Sequence, residues 1–143
     1  MKILFVCTGN TCRSPMAEFL MKNYIKENNI KDITDVQSRG LYVPENSPMS
    51  LNSLKALEYF DIEADDFYSR QLTEADLENF DKIYTMTNSH RITILSAYPE
   101  YEDKVFTLAK NDISDPYLQE PEVYRITAEQ ILKGIGETFG ENN

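Results

Sequence analysis

Two hydrophobic periods alternate along this chain. Lys2 to Val6 is a short, mostly apolar run that stops at Thr8-Gly9-Asn10. A run of that length bounded by turn formers reads as a buried strand. Ser14-Pro15 follows and reads as a helix start, with Ser14 at the cap and Pro15 at the first helical position. Ala17, Leu20, Met21 and Tyr24 then recur at helical spacing, with Lys22, Asn23 and Lys26 on the opposite face. The order is strand, tight loop, helix.

The remaining pattern continues the alternation. Thr34 to Gln37 predicts a second strand, closed by Ser38-Arg39-Gly40, and Pro44 to Pro48 is rich in turn formers. Met49 to Phe60 carries Leu51, Leu54, Ala56 and Leu57, which predicts a second amphipathic helix. Thr73 caps a short predicted helix ending at Asn79. Asp81 to Met86 predicts a third strand, Ser89 to Ala97 a helix, and Lys104 to Leu108 a fourth strand. Asn111 to Pro121 is a polar loop, and Thr127 to Phe139 predicts the last helix through Ile131, Leu132 and Ile135. This order implies an α/β fold, a parallel sheet covered on both faces. No repeat, low-complexity tract or linker interrupts the 143 residues, so one domain over 1–143 is expected. Ligands of such folds bind beyond the carboxyl ends of the strands. The loop after the first strand lies there, and so does the loop around Asp115, after the fourth.

Composition narrows the function classes. The hydrophobic fraction of 41% is that of a folded chain. No stretch approaches the length of a membrane helix, and Met1 to Cys7 is too short for a signal peptide. The expectation is a cytoplasmic protein. A formal net charge of −10 argues against nucleic acid, whose backbone needs clustered Lys and Arg. A phosphate ligand would have to be attracted locally, by backbone N–H groups and one or two arginines, because the overall field repels it. Cys7 and Cys12 are the only cysteines and His90 the only histidine. That is too few for a disulfide framework or a structural zinc site. Cysteines this close together look catalytic or redox-active, against the plainer reading of packed thiols.

The loop Cys7-Thr8-Gly9-Asn10-Thr11-Cys12-Arg13-Ser14 meets the demands of phosphoryl transfer. Those are an in-line nucleophile, fixed positive potential for the equatorial oxygens, and a proton for the leaving group. A loop between a strand and a helix N-terminus points backbone N–H groups at an anion. The same potential favours a Cys7 thiolate, the form in which cysteine attacks. Arg13 can hold two phosphate oxygens in its fork. Gly9 lets the chain turn without a side chain in the cradle. Asn10 tolerates a left-handed conformation, and Ser14 could donate to the thiolate. The Gly-Lys-Ser/Thr ending of a Walker-type loop is missing.

Cys7 to Ser14 followed by Pro15-Met16-Ala17-Glu18 resembles the signature of the low-molecular-weight protein tyrosine phosphatase family. Ser38 and Gly40 match its Ser-Ala-Gly turn, with Arg39 in place of Ala. Arg70-Gln71-Leu72-Thr73, the Met86 region with His90, and Lys104-Val105-Phe106-Thr107-Leu108 also fit. Asp115-Pro116-Tyr117 resembles the general-acid loop. The resemblance implies a four-stranded parallel sheet flanked by helices, with a phosphate-binding loop of Thr8, Gly9, Asn10, Thr11, Cys12, Arg13 and Ser14. It implies a phosphocysteine intermediate on Cys7, Asp115 as general acid with Asp112 as the nearest alternative, and no metal or cofactor. Asn10, Ser14 and Ser38 would support the loop. Three departures stand out. Phe67 takes the place of a common histidine, Leu118-Gln119-Glu120-Pro121 replaces a small-residue step, and the tail is shorter.

Thr11 bears on the substrate. The family's tyrosine phosphatases usually carry an aliphatic residue there, whereas this loop resembles the bacterial protein arginine phosphatase branch. A threonine hydroxyl can pair with a guanidinium N–H that an aliphatic wall would leave desolvated. The expected substrate is therefore protein phosphoarginine, with phosphotyrosine as the alternative. Leu41 or Tyr42, and Tyr117, are candidate walls, which suit a phenyl ring or a guanidinium alike. Cys12 could trap oxidised Cys7 as a disulfide. Arsenate reduction would need further cysteines downstream, and none follows Cys12. An inactive phosphate-binding regulator would need a broken catalytic set, yet Cys7, Arg13 and Asp115 are all present. The partner expected is a phosphorylated protein, bound by a monomer.

Overall fold

The computed structural model describes residues 1–64 and 66–140. The expected domain over 1–143 also spans residues 65 and 141–143, which lie outside the described residues. Four strands, β1 (Lys2–Cys7), β2 (Asp35–Gly40), β3 (Lys82–Thr85) and β4 (Val105–Thr107), pair in parallel in the order β2-β1-β3-β4. The helices are α1 (Arg13–Glu27), α2 (Leu51–Tyr59), α3 (Glu74–Asn79), α4 (Asn88–Ala97) and α5 (Pro121–Phe139), with a 3₁₀ turn at Pro99–Tyr101. The architecture is the single-domain α/β fold expected.

β1 is central, which explains its unbroken apolar run. Side chains alternate faces along a strand. Ile3, Phe5 and Cys7 pack with Met16, Leu20 and Met21 of α1 and with Ile131 and Ile135 of α5. Leu4 and Val6 pack with Leu77, Phe80, Ile83, Ile94 and Val105 on the other face. The same alternation sends the Cys7 side chain to the face where α1 begins. β1 pairs with β2 on one side and β3 on the other, so the loop after β1 leaves at the topological switch point, where open α/β sheets bind ligands.

Several boundaries differ from the sequence pattern. α1 begins at Arg13, and Cys12 precedes it without a side-chain cap. Ser14 therefore does not cap the helix; it sits in the first turn, and its hydroxyl serves the loop. β2 runs on through Ser38–Gly40 because Gly40 pairs in register with Cys7. α5 starts at Pro121, well before Thr127, and Pro at the first helical position is the signal for it. Leu51 is exposed, and α2 instead buries Ser53, Ala56 and Leu57. The Thr73 cap is present as a capping box with Asp76, and Asp76 also holds Arg39 at 3.2 Å.

Candidate active site

The loop from Cys7 to Ser14 encloses one side of a pocket of about 420 Å³. Residues 7 to 13 all line it, with Tyr42, Glu45, Ser47, Asp115 and Tyr117 among the facing residues. Among the described residues, no backbone acceptor takes the N–H groups of Thr8, Gly9, Asn10, Thr11, Cys12 or Arg13. Donors left unpaired at a helix N-terminus form an anion cradle.

Cys7 is 3% exposed. Its Sγ lies 2.9 Å from Ser14 Oγ and accepts from the Ser14 N–H at 3.4 Å. The loop behind it is braced by a polar network whose protons can be assigned one by one. The Arg70 N–H donates to Asn10 Oδ1 at 2.9 Å, which fixes the Asn10 amide. Its Nδ2 then donates to Ser14 Oγ at 2.8 Å and to Ser38 Oγ at 3.0 Å. Ser38 passes its proton to Glu18 Oε1 at 2.8 Å, and Lys22 Nζ holds the other Glu18 oxygen at 2.7 Å. Ser14 keeps its own proton for the sulfur, with the Arg39 carbonyl 3.3 Å away as the competing acceptor. Asn10 takes φ 57°, the left-handed conformation that Asn tolerates better than other side chains.

Gly9 has no positive φ, and a Cβ there would meet no atom of the described residues within 4 Å. The turn's freedom thus resides in Asn10 rather than Gly9. Gly40 is the sterically required glycine. A Cβ there would lie 2.7 Å from Val43 Cγ2 and 2.8 Å from the Thr8 carbonyl oxygen. The Phe67 departure leaves the network intact. Phe67 packs edge-on against Phe19, and Lys22 supplies the cation for Glu18.

Arg13 is 6% exposed, and its Nη1 donates to the Ile113 carbonyl at 3.1 Å. Its Nη2 faces Asp115 Oδ2 at 3.6 Å. Asp115 Oδ1 accepts from the Tyr117 N–H at 3.1 Å, a local turn that aims the carboxylate into the pocket. Asp112 is engaged elsewhere: it accepts from the Asn88 N–H at the start of α4 and does not line the pocket. Leu118 adopts φ 62°, so the acid loop keeps a left-handed step that would suit glycine.

Thr11, Tyr42 and Tyr117 line the pocket. Leu41 does not. It packs against the Leu4 and Val6 cluster, because the chain alternation turns it to the other side of the sheet. Thr11 is anchored through its carbonyl, which accepts from the Ser50 N–H at 3.1 Å and from Ser53 Oγ at 3.4 Å. Among the described residues its hydroxyl meets only Cys12 Sγ, at 3.8 Å. Cys12 Sγ also lies 3.5 Å from Ser50 Oγ and 3.7 Å from Tyr124 Oη. Burial, reinforced by Cys12, pushes the Tyr124 phenol up to about 12. The sequence reading missed Glu18 and Lys22 as the network's end and gave His90 no task. His90 Nε2 lies 2.9 Å from Thr8 Oγ1. The signal for the first pair was their four-residue helical spacing.

A parallel sheet whose central strand ends in a cysteine, six residues before an arginine at a helix N-terminus, defines a cysteine-dependent phosphatase. The comparisons place it more finely. Residues 2–141 match the family model described as low molecular weight phosphotyrosine protein phosphatase, and the chain belongs to that family. It is 36% identical over 137 residues to a protein-arginine-phosphatase of Bacillus subtilis, covering 92% of this chain and 89% of the relative. It is equally 36% identical over 141 residues to the low molecular weight protein-tyrosine-phosphatase PtpB of Staphylococcus haemolyticus, covering 95% and 96%. Among solved structures it matches an arginine phosphatase, a cysteine-to-serine mutant whose active-site serine is phosphorylated. The TM-score is 0.88 at 31% identity, over 100% of this chain and 98% of that one.

Proposed function

We propose that this chain is one phosphatase domain over 1–143 and acts as a monomeric, cytoplasmic protein arginine phosphatase. Cys7 is the nucleophile. Its thiolate attacks phosphorus in line, with the phosphoryl oxygens held by the loop N–H groups and the Arg13 fork. Asp115 protonates the departing guanidine nitrogen as the P–N bond breaks, leaving phosphocysteine. The Asp115 carboxylate then takes a proton from the water that displaces Cys7, and Ser14 stabilises the returning thiolate. No step calls for a metal or cofactor.

The observation that carries the arginine reading is the Thr11 hydroxyl. It stands in the pocket wall with no oxygen or nitrogen partner among the described residues, so it is free to accept a guanidinium N–H. The likeness to a protein-arginine-phosphatase over nearly the whole chain supports it. The second reading, protein phosphotyrosine, is favoured by the exposed rings of Tyr42 and Tyr117 at the pocket and by the equal likeness to a tyrosine phosphatase. The test compares kcat/KM on phosphoarginine and phosphotyrosine peptides, with Cys7→Ser as the inactive control. The expected result is a preference for phosphoarginine that Thr11→Val lowers roughly 10- to 100-fold, the worth of one unmatched buried polar group. A wild-type preference for phosphotyrosine that Thr11→Val leaves unchanged selects the second reading.

Cys12 belongs to the same proposal. Peroxide oxidises the Cys7 thiolate to a sulfenic acid, and the Cys12 thiol displaces water from it to form a disulfide. Thiols then restore activity. If Cys12→Ser recovers from peroxide as fully as the wild type, Cys12 is only a packed side chain.

A further inference from the structure

We propose that His90 is a positioning residue that fixes the Thr8 hydroxyl as a hydrogen-bond donor into the phosphate pocket. The inference rests on the phosphatase reading of the loop and adds a side-chain contact to its backbone cradle.

His90 is 6% exposed. Its Nε2 lies 2.9 Å from Thr8 Oγ1, and its Nδ1 is buried without a hydrogen-bond partner among the described residues. A neutral imidazole carries one N–H and one bare nitrogen. If the proton sat on Nδ1, a buried donor would be stranded while the Thr8 hydroxyl spent its proton on His90. With the proton on Nε2, only a lone pair goes unmet, and Nε2 donates to Thr8. A stranded buried donor is the rarer and costlier defect. The Nε2–H tautomer therefore follows. Burial and the Arg13 charge also hold the ring neutral, lowering its protonation to about 4 against the opposing pull of Asp112 and Asp115.

The tautomer decides what Thr8 does. Its oxygen accepts from His90, so its own proton must point elsewhere. Thr8 is exposed and lines the pocket. The open direction is the pocket, where a phosphoryl oxygen supplies the acceptor. His90 does not touch the substrate; it acts through Thr8.

Because His90 is the only histidine, nitrogen-15 NMR of the wild-type protein reads this tautomer without assignment. The expected spectrum shows protonated Nε2 and bare Nδ1 at neutral pH, and a protonated Nδ1 overturns the proposal. A mutant cycle supplies the functional readout, using inorganic phosphate as competitive inhibitor and kcat/KM on a phosphorylated peptide. Thr8→Val and His90→Leu should each weaken both about 10- to 100-fold, the worth of one hydrogen bond to a charged group. The double variant should be no worse than Thr8→Val. His90→Gln keeps an N–H near the ε position and should recover most of the loss. Additive losses, or no rescue by Gln, overturn the proposal. A wild-type protein that hydrolyses no phosphorylated peptide overturns the phosphatase reading instead, and the phosphate-facing role of Thr8 with it. The nitrogen shifts still report the tautomer separately.

Discussion

Arg13 Nη2 stands 3.6 Å from Asp115 Oδ2, yet the first side chain is 7% exposed and the second 56%. Arg13 is embedded in the fold, whereas Asp115 sits on a surface loop. Replacing the two should therefore fail differently. Asp115→Asn should lower kcat about 10²- to 10⁴-fold, with little change in KM. An exposed ion pair contributes at most about 1 kcal/mol, so its stability should stay within that of the wild type. Arg13→Lys should raise KM as well as lower kcat, since a lysine lacks the fork and the bond to the Ile113 carbonyl. Steady-state kinetics beside chemical denaturation check both. A large stability loss in Asp115→Asn would contradict this division.

Asn10 combines a strained backbone with three hydrogen bonds, a half-buried one from the Arg70 N–H and buried ones to Ser14 and Ser38. The two contributions separate by substitution. Asn10→Ala loses the bonds and leaves a β-carbon at positive φ, which costs about 1–2 kcal/mol more than Asn or Gly there. Asn10→Gly loses the bonds and gains unfolded-chain freedom, but its backbone fits the positive φ. Both should lower kcat, because Ser14 loses the donor that orients it toward Cys7. Asn10→Gly should retain about 1 kcal/mol more stability than Asn10→Ala, read by denaturant melts. Equal stabilities would mean that the left-handed conformation carries no strain.

Gly40 tests the seating of the loop on β2. An added Cβ meets the Thr8 carbonyl oxygen at 2.8 Å and Asn10 Cβ at 3.0 Å. The first is backbone and cannot rotate away. Gly40→Ala should lose about 1–3 kcal/mol, the usual cost of overpacking, and should lower kcat/KM because the displaced atoms belong to the cradle. Gly9→Ala, whose Cβ meets no atom of the described residues within 4 Å, should leave stability within about 0.5 kcal/mol. A Gly40→Ala protein as stable and active as the wild type would show that the loop has room to shift.

The sheet was legible because β1 is buried on both faces, so its apolar run needed no partner to be recognised. The loop was legible because its chemistry sits in consecutive residues. What escaped was set by contacts across the chain. Ser14 looks like a cap until Asn10 and Cys7 claim its hydroxyl. Leu41 looks like a pocket wall until strand alternation turns it toward Leu4 and Val6. Glu18 is one of many acidic residues in sequence, and only folding places it between Ser38 and Lys22. His90 likewise gains its partner from a loop 82 residues away.

His90 also makes stability depend on pH in a defined direction. Its folded value is lowered from the ordinary 6.5 to about 4, by burial first and the Arg13 charge second. Between those values the unfolded chain takes up a proton that the folded protein refuses. Folding therefore weakens as pH falls from 6.5 toward 4, and this contribution levels off below that, once both states are protonated. The full difference is about 3 kcal/mol. His90→Gln has nothing to titrate at that position. Denaturant melts at pH 7, 5 and 4 should show the wild type losing more stability on acidification than His90→Gln, with most of the extra loss present by pH 4. Parallel acid losses in the two proteins would mean that the ring is solvated well enough to accept its proton in place. In that case a charged His90 would carry a proton on both nitrogens, and the orphaned Nδ1 would have to find an acceptor that the fold around α4 does not supply.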